Sequence, residues 1–169
     1  TDGGSGFESA RKRVWPQTRV QRCIYHAFCQ VKRYTTSRPK LQAGVELYGI
    51  AKALFNIKSN NDASYWLADY LKWCEKWEEF LAETTIIDGR KELTHERLVK
   101  AKKSLDKLIS SHRLFTHLDE SLTLDGPMPA TNNRIEGGVN SPIRQMLREH
   151  RGMSLMRRIK AVFWWCYMN

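Results

Sequence analysis

The chain has 169 residues, 41% of them hydrophobic, and a formal net charge of +10 at pH 7. This length suits one domain, or one domain with an insertion, and the apolar content excludes a disordered tail. No apolar run approaches the roughly 20 residues that a membrane-spanning helix needs, and the first residues do not form a secretory signal. We therefore expect a soluble protein without a membrane partner.

The positive charge is concentrated towards the two ends of the sequence. Residues 9–45 contain nine Lys or Arg and no acid, and residues 137–169 contain six against one acid. Residues 66–96 have the opposite balance, with eight acids and four bases. Two basic ends around an acidic middle favour a polyanion as partner, although a solvated surface tuned for solubility is the alternative.

The four cysteines, Cys23, Cys29, Cys74 and Cys166, are scattered along the sequence. This usage argues against a disulfide framework and indicates a reducing, intracellular compartment. Cys23, His26 and Cys29 form a C-x-x-H-x-x-C pattern whose soft ligands suit zinc. A closed zinc site needs a fourth ligand, and no second clustered pair exists, so a packed cysteine and a histidine near a functional cleft are the favoured interpretation.

The first elements in chain order are a turn, a helix and a strand. Asp2 precedes two glycines, a pattern that marks a strand end approaching a ligand or an ordinary turn. Residues 7–15 predict a short helix with a basic outer face, which Pro16 ends. Residues 19–26, RVQRCIYH, alternate apolar and polar side chains and are the best strand candidate in the chain.

Residues 39–112 predict an all-helical block without a strand. Its first helix carries an apolar stripe that includes Leu41, Val45, Tyr48, Ala51 and Phe55. The segment SNND then caps a second helix, in which Trp66, Tyr70, Trp73 and Trp77 recur at helical spacing. Such a stripe indicates a buried core face more often than a platform for stacking bases. A third helix is marked by Leu98, Ala101, Leu105, Leu108 and Ile109.

The segment TNNRIEGG, residues 131–138, opens the last part of the chain. Asn133 and Glu136 have the spacing of a capping box with Asn133 as N-cap. A capping box does not account for Gly137 and Gly138, because each glycine inside a helix costs about 1 kcal/mol relative to alanine. We therefore expect another surface to approach this backbone closely.

A second helix start follows at residues 141–142, Ser-Pro, where the helix kinks or begins again. Beyond it, Arg144, Arg148 and Arg151 fall at positions i, i+4 and i+7 on one face. Arginine at this density suits phosphate contacts, although a solvated ridge has the same pattern. Residues 154–167 predict a final apolar and basic helix.

These motifs, taken in order, resemble one family of enzymes. The segments DGGSGFESARKRVWPQTRVQRCIYHAFCQV and PATNNRIEGGVNSPIRQMLREHRGMSLMRRIKAVFWW are similar to the second half of the catalytic domain of Mutator-like DDE transposases of bacterial insertion sequences. The order is specific: Asp-Gly with a helix, a QRC-x-x-H strand end, a helical block and then T-N-N-x-x-E. The resemblance spans nearly the whole chain.

The resemblance implies an α/β fold with an RNase H-like mixed sheet, partial because its first strands are absent, and a large all-helical insertion. It divides the chain into a first segment of the catalytic core (residues 1–38), the insertion (residues 39–125) and the C-terminal helices of the core (residues 126–169). The helical block predicted from periodicity matches this insertion.

The resemblance also implies a set of functional residues. Asp2 and Glu136 are expected to be catalytic and to bind Mg²⁺ or Mn²⁺, because these enzymes hold two divalent ions with three carboxylates for attack on phosphodiesters. Cys23, His26, Asn132 and Asn133 are expected to support the active site. The expected nucleic-acid-binding residues are Arg11, Lys12, Arg13, Arg22, Arg144, Arg148 and Arg151.

The implied activity is metal-dependent DNA cleavage and strand transfer of an insertion element. The implied partner is double-stranded DNA, both element ends and target, in the bacterial cytoplasm at the nucleoid; full-length transposases commonly act as homodimers. The first Asp of the catalytic triad is missing, so we expect a C-terminal fragment that is inactive alone. The alternative is a basic nucleic-acid-binding remnant with structural carboxylates, whose DNA binding is salt-sensitive and independent of divalent metal.

Overall fold

The computed structural model describes residues 1–122 and 126–169 of the chain. They form two compact units, residues 1–130 and residues 131–169. The predicted boundary at residue 125 lies outside the described residues. None of the helices in the described parts of the chain is long and apolar enough to cross a membrane.

The first unit consists mainly of helices. They are α1 (Ser5–Val14), α2 (Ile24–Thr35), α3 (Gln42–Ala53), α4 (Asn60–Lys76), α5 (Glu78–Ala82) and α6 (Glu96–Ser110). Two strands, β1 (Thr84–Ile87) and β2 (Arg90–Leu93), form an antiparallel hairpin between α5 and α6. Short 3-10 turns occupy Leu54–Asn56, Thr116–Leu118 and Glu120–Leu122.

The expected RNase H-like mixed sheet is wrong for this chain. Across the described ranges, the two-stranded β1–β2 hairpin is the only sheet. Residues 19–23, predicted as most of a strand, belong to no strand or helix, and α2 begins at Ile24. The physical reason is that a strand needs a neighbour along its length, whereas from Ile24 onward the buried positions recur at helical spacing through Ala27, Phe28 and Val31.

The β1–β2 hairpin also corrects the prediction of a strand-free helical block. Its two-residue loop is Asp88-Gly89, and both residues have positive φ, 50° and 75°. This conformation is the tight turn that joins antiparallel strands with the correct twist. The β-branched run TTII, which favours strands, was the signal for β1.

The core of the first unit confirms the first three members of the tryptophan stripe as a buried face, whereas Trp77 is half-buried. Trp66, Tyr70 and Trp73 of α4 are at most 4% exposed, and their rings stack in series. The indole of Trp66 donates to the Ile50 carbonyl at 2.7 Å, and that of Trp73 donates to the Ala43 carbonyl at 3.0 Å. These two bonds fix α4 against α3 and satisfy the only polar atoms of the buried indole rings.

The predicted apolar stripe of α3 is partly wrong. Leu41 and Val45 are more than 40% exposed, whereas Ala43, Gly44 and Leu47 are buried. Glycine at position 44 lets α3 lie close to the Pro39 side chain, because a Cβ at Gly44 would be 3.3 Å from the Pro39 Cβ.

Helix α2 packs against both α3 and α6, so residues on both sides of the predicted boundary at residue 38 share one core. Val31 of α2, Leu47 of α3 and Leu105 of α6 are each fully buried in it. The three-part division of the chain itself stays a prediction.

The second unit is a run of helices: α7 (Asn133–Ile135), a π-helical turn (Glu136–Asn140), α8 (Ser141–Glu149) and α9 (Leu155–Met168). The chain stays helical from Asn133 to Glu149, so the expected restart at Ser141 takes the form of a widened turn. Pro142 lies in the first turn of α8, and since proline has no N–H to donate, the preceding hydrogen-bond ladder is altered there.

Candidate functional site

Asp2 lies in a tight turn that leads into α1. Its Oδ1 accepts a hydrogen bond of 2.9 Å from the Gly4 backbone N–H, and Gly3 has φ +83°. The carboxylate is exposed. The bond from Gly4, and then the nearby charges of His26 and Arg22, hold the pKa of Asp2 below its ordinary value, so this group is a carboxylate at neutral pH.

Backbone pairing brings Asp2 next to the C-x-x-H motif. The Thr1 amino group donates to the Gln21 carbonyl at 2.8 Å, and the Cys23 N–H donates to the Thr1 carbonyl at 2.8 Å. These two bonds hold Thr1 alongside residues 21–23. They gather four predicted site residues in one neighbourhood: Asp2, Arg22, Cys23 and His26.

Cys23 and His26 have different surroundings at the start of α2. Cys23 is the N-cap residue and is 1% exposed, as the interpretation of a packed cysteine requires. His26, in the first turn, is half-buried and meets the Tyr25 ring edge to face. Within residues 1–122 and 126–169, no group of three or more His, Cys, Asp or Glu side chains is placed to hold a metal ion.

Arg22 crosses over the backbone of the Asp2 turn. Its Nη1 donates to the Asp2 backbone carbonyl. A Cβ at Gly3 would lie 1.4 Å from that nitrogen, so glycine leaves the space that the guanidinium occupies. Burial lowers the pKa of Arg22 and the neighbouring Asp2 opposes this, but a guanidinium stays charged in either case.

Arg11 does not lie on the basic outer face that was predicted for α1. This residue is only 7% exposed. Its Nη2 binds Glu8 at 3.0 Å, and its Nη1 donates to the carbonyls of Pro16 and Thr18 at 3.2 Å each. Arg11 therefore holds the turn after α1, because both of its terminal nitrogens bind groups of this segment. The outward-facing bases of this helix are Lys12 and Arg13.

Sequence reasoning missed the contact that fastens the Asp2 segment to the helical block. Arg113 binds Glu8 through both terminal nitrogens, at 2.8 and 3.2 Å, and its carbonyl accepts the Arg22 N–H at 2.7 Å. The pairing with Arg113 and Arg11 lowers the pKa of Glu8 to about 2. No local pattern could reveal this pair, because the two residues are 105 positions apart.

Glu136 is held by Asn132 rather than by the predicted capping box. Asn132 is the N-cap residue of α7, and its side chain makes no capping bond to the backbone. Its amide Nδ2 donates to Glu136 Oε1 at 2.5 Å. Asn133 is the first helical residue and is exposed. The capping box is therefore wrong, because the amide one position earlier reaches the carboxylate from the preceding helical turn.

The two glycines after Glu136 lie in the π-helical turn. A Cβ at Gly137 or Gly138 would meet no atom of the described residues within 4 Å. Packing within this part of the molecule therefore does not require glycine at either position. The expected close approach of another surface, DNA included, stays a prediction.

Of the three arginines predicted to share one helical face, two lie on a helix. Arg144 and Arg148 are exposed on α8, whereas Arg151 is exposed in the turn that follows Glu149. The Arg151 carbonyl accepts a bond of 2.7 Å from Arg158, which ties this turn to α9.

Asp2 belongs to the first unit and Glu136 to the second, so their meeting at one metal stays a prediction. No known protein family, curated protein or solved structure matches the chain.

Proposed function

We propose that this chain is part of a DDE-type DNA transposase and carries two of its metal-binding carboxylates, Asp2 and Glu136. The proposed reaction is metal-dependent cleavage and strand transfer of double-stranded DNA, at element ends and target. The observation that supports it best is the gathering of Asp2, Arg22 and His26 in one neighbourhood by the backbone bonds of Thr1 to Gln21 and Cys23.

Each carboxylate has the chemistry that a hard divalent cation prefers. Asp2 is exposed and ionised, and it gives one oxygen to a single bond with Gly4, which leaves acceptor capacity on both oxygens. Glu136 is oriented by the Asn132 amide, as ligating carboxylates are in metal sites. Mg²⁺ or Mn²⁺ held there would supply an activated water or 3′-hydroxyl and neutralise charge on the phosphodiester. The third carboxylate that this chemistry requires is not assigned to any residue of the chain.

The remaining residues of the proposed site would bind DNA or act on Asp2. The Gly4 hydrogen bond, and then His26 and Arg22, lower the pKa of Asp2 and so favour its charged form. The exposed bases of both units, Lys12, Arg13, Arg144, Arg148 and Arg151, would bind the DNA backbone, since arginine and lysine release condensed counterions from phosphates. A protein with this activity would work in the bacterial cytoplasm at the nucleoid, as a homodimer on paired ends.

A specific observation favours a second candidate, a nucleic-acid-binding protein without catalysis. Both carboxylates already have partners of a structural kind: Asp2 binds the Gly4 N–H, and Glu136 binds the Asn132 amide. In this case the basic surfaces bind DNA, and the two carboxylates stabilise only the turns in which they lie.

The test compares Glu136→Gln with Glu149→Gln, a matched loss of one negative charge in the same unit. The protein, with any residues that precede Thr1, is assayed on DNA containing element ends, in Mg²⁺, Mn²⁺ or EDTA. The transposase proposal expects cleavage that needs metal, is abolished by Glu136→Gln and persists in Glu149→Gln. Undiminished cleavage by Glu136→Gln contradicts the proposal. Salt-sensitive binding that ignores metal, with no cleavage by any variant, supports the second candidate.

A further inference from the structure

A cleft of about 400 Å³ opens beside the Asp2 turn, within the first unit. Its lining includes residues 3–5, Lys107 of α6 and Arg113. Arg22 and Glu8 also line the cleft. A cavity of this size is at the lower end of those that hold small ligands, and a nucleotide-sized group fits such a volume.

The charges in this cleft do not cancel. Glu8 is the single acid among its lining residues, and its low pKa, about 2, keeps it ionised. It pairs with Arg113 at 2.8 Å, so those two side chains neutralise each other. Arg22 lies beside the Asp2 carboxylate, which offsets part of its charge. The charge of Lys107 has no acid in the cleft, and an anion is the ligand that would compensate it.

Lys107 is the side chain most available to such a ligand. It is exposed, and its ammonium group has no hydrogen bond or ion pair recorded within the described ranges. Its neighbour on the same helix, Lys102, is by contrast paired with Asp106 at 2.9 Å. An ammonium on a flexible stem binds phosphate oxygens as a point charge and tolerates variation in their position.

We propose that this cleft binds phosphates of the DNA backbone next to Asp2, with Lys107 as the main contact and Arg22 as the second. The identification of the anion as DNA rests on the proposed function. The inference goes further, because it assigns substrate binding to α6, a helix of the block whose core contains the stacked rings of Trp66, Tyr70 and Trp73. Lys107 has no acidic partner in the cleft and matches one phosphodiester, and Arg22, next to Asp2, lies in reach of a neighbouring one.

The first test removes the lysine and measures DNA affinity against salt concentration. Lys107→Ala is compared with Lys103→Ala, an exposed lysine of the same helix that lies outside this cleft. Binding of a double-stranded DNA probe to the protein, with any residues that precede Thr1, is followed by fluorescence anisotropy in EDTA over a range of KCl concentrations. Each phosphate contact contributes about 0.9 to the slope of log K against log salt.

We expect the slope for Lys107→Ala to fall in magnitude by about 0.9, with Lys103→Ala unchanged. Equal slopes for the two variants, whether both lowered or both unchanged, overturn the proposal. Circular dichroism confirms that both variants fold, which we expect because neither ammonium has an internal partner.

A second test needs no variant. Lysines of the wild-type protein are acylated with and without the same DNA, and the modification of Lys107 and Lys103 is compared by mass spectrometry. Protection of Lys107 that exceeds protection of Lys103 supports the cleft, and equal protection overturns it. Protection by inorganic phosphate but not by DNA also overturns it, since the ligand is then a free anion.

These outcomes separate the cleft from the catalytic proposal, because they are measured in EDTA without cleavage. If Glu136→Gln cleaves normally while the Lys107 effects are as expected, the transposase assignment fails and the phosphate cleft stands. If Glu136→Gln abolishes cleavage while Lys107→Ala and Lys103→Ala behave alike, the cleft fails and the assignment stands.

Discussion

Asn132 and Glu136 are joined by a hydrogen bond of 2.5 Å from the amide nitrogen to one carboxylate oxygen. The bond spans one helical turn, from the residue that precedes α7 to the first residue of the π-helical turn. Such turns are rare within helices and often occur at functional sites. The bond restricts the rotamers of Glu136, and this is what an oriented metal ligand requires.

Loss of this orientation should reduce metal-dependent activity without unfolding the protein. We expect Asn132→Ala to lower DNA cleavage by about 10- to 100-fold, the usual effect of removing a group that orients a metal ligand. Asn133→Ala is the control, because Asn133 is exposed and has no recorded bond to Glu136. Cleavage is measured at several Mg²⁺ concentrations. Equal activity of the two variants would show that the bond has no part in catalysis.

The substitution Gly138→Ala should change the stability of the protein and the access of DNA in opposite directions. No described atom lies within 4 Å of the added Cβ, so Gly138→Ala should raise stability by about 0.5–1 kcal/mol through helix propensity. If DNA passes close to this turn, the same change should lower DNA cleavage. Gly49→Ala, at an exposed and equally open glycine of α3, should raise stability alone. Thermal melts and cleavage assays check both, and full activity of Gly138→Ala would exclude the close approach.

The ion pairs of Glu8 predict a dependence of stability on acid pH. The folded pKa of Glu8 is about 2, against an ordinary value of 4.5, because Arg113 and Arg11 bind its carboxylate. The unfolded chain binds the proton more readily, so these pairs stabilise the protein fully above pH 4.5 and progressively less as the pH falls from 4.5 to about 2.

The measurement is the midpoint of thermal unfolding for the wild type and for Glu8→Gln as a function of pH. The wild type should unfold at the higher temperature near neutral pH, and the difference should shrink as the pH falls through that range. Glu79→Gln, at an exposed acid without a recorded partner, should show no such trend. A difference that stays constant down to about pH 2 would contradict the structural role of Glu8.

Periodicity predicted the parts of the fold that depend on local pattern. The helices around Trp66–Trp73 and Leu98–Leu105 were predicted with their buried faces, because apolar side chains at spacings of three and four define one side of a helix. Ser59 caps α4 with Asp62 as its partner, and the sequence SNND indicated this start.

The predictions that were wrong concern features that depend on contacts outside the local sequence pattern. An alternating pattern at residues 19–26 predicts a strand only if a neighbour pairs with it, and the available partners are Thr1 and Arg113. The burial of Arg11 depends on carbonyls in the following turn, which a helical-wheel argument does not include. The Asn132 amide reaches Glu136 because α7 begins one residue earlier than the capping-box pattern assumed, and helix ends are the least certain positions in a sequence-based prediction.

The central claim is that Asp2 and Glu136 serve one metal-dependent reaction, and a double-mutant cycle on DNA cleavage tests it most directly. Rates in Mg²⁺ are measured for the wild type, Asp2→Asn, Glu136→Gln and the double variant. If both carboxylates hold the same ions, each single change removes nearly all activity and the double variant is no worse, since groups that act as a unit are strongly non-additive. Full activity in either single variant, or two partial losses that multiply in the double variant, would contradict the claim.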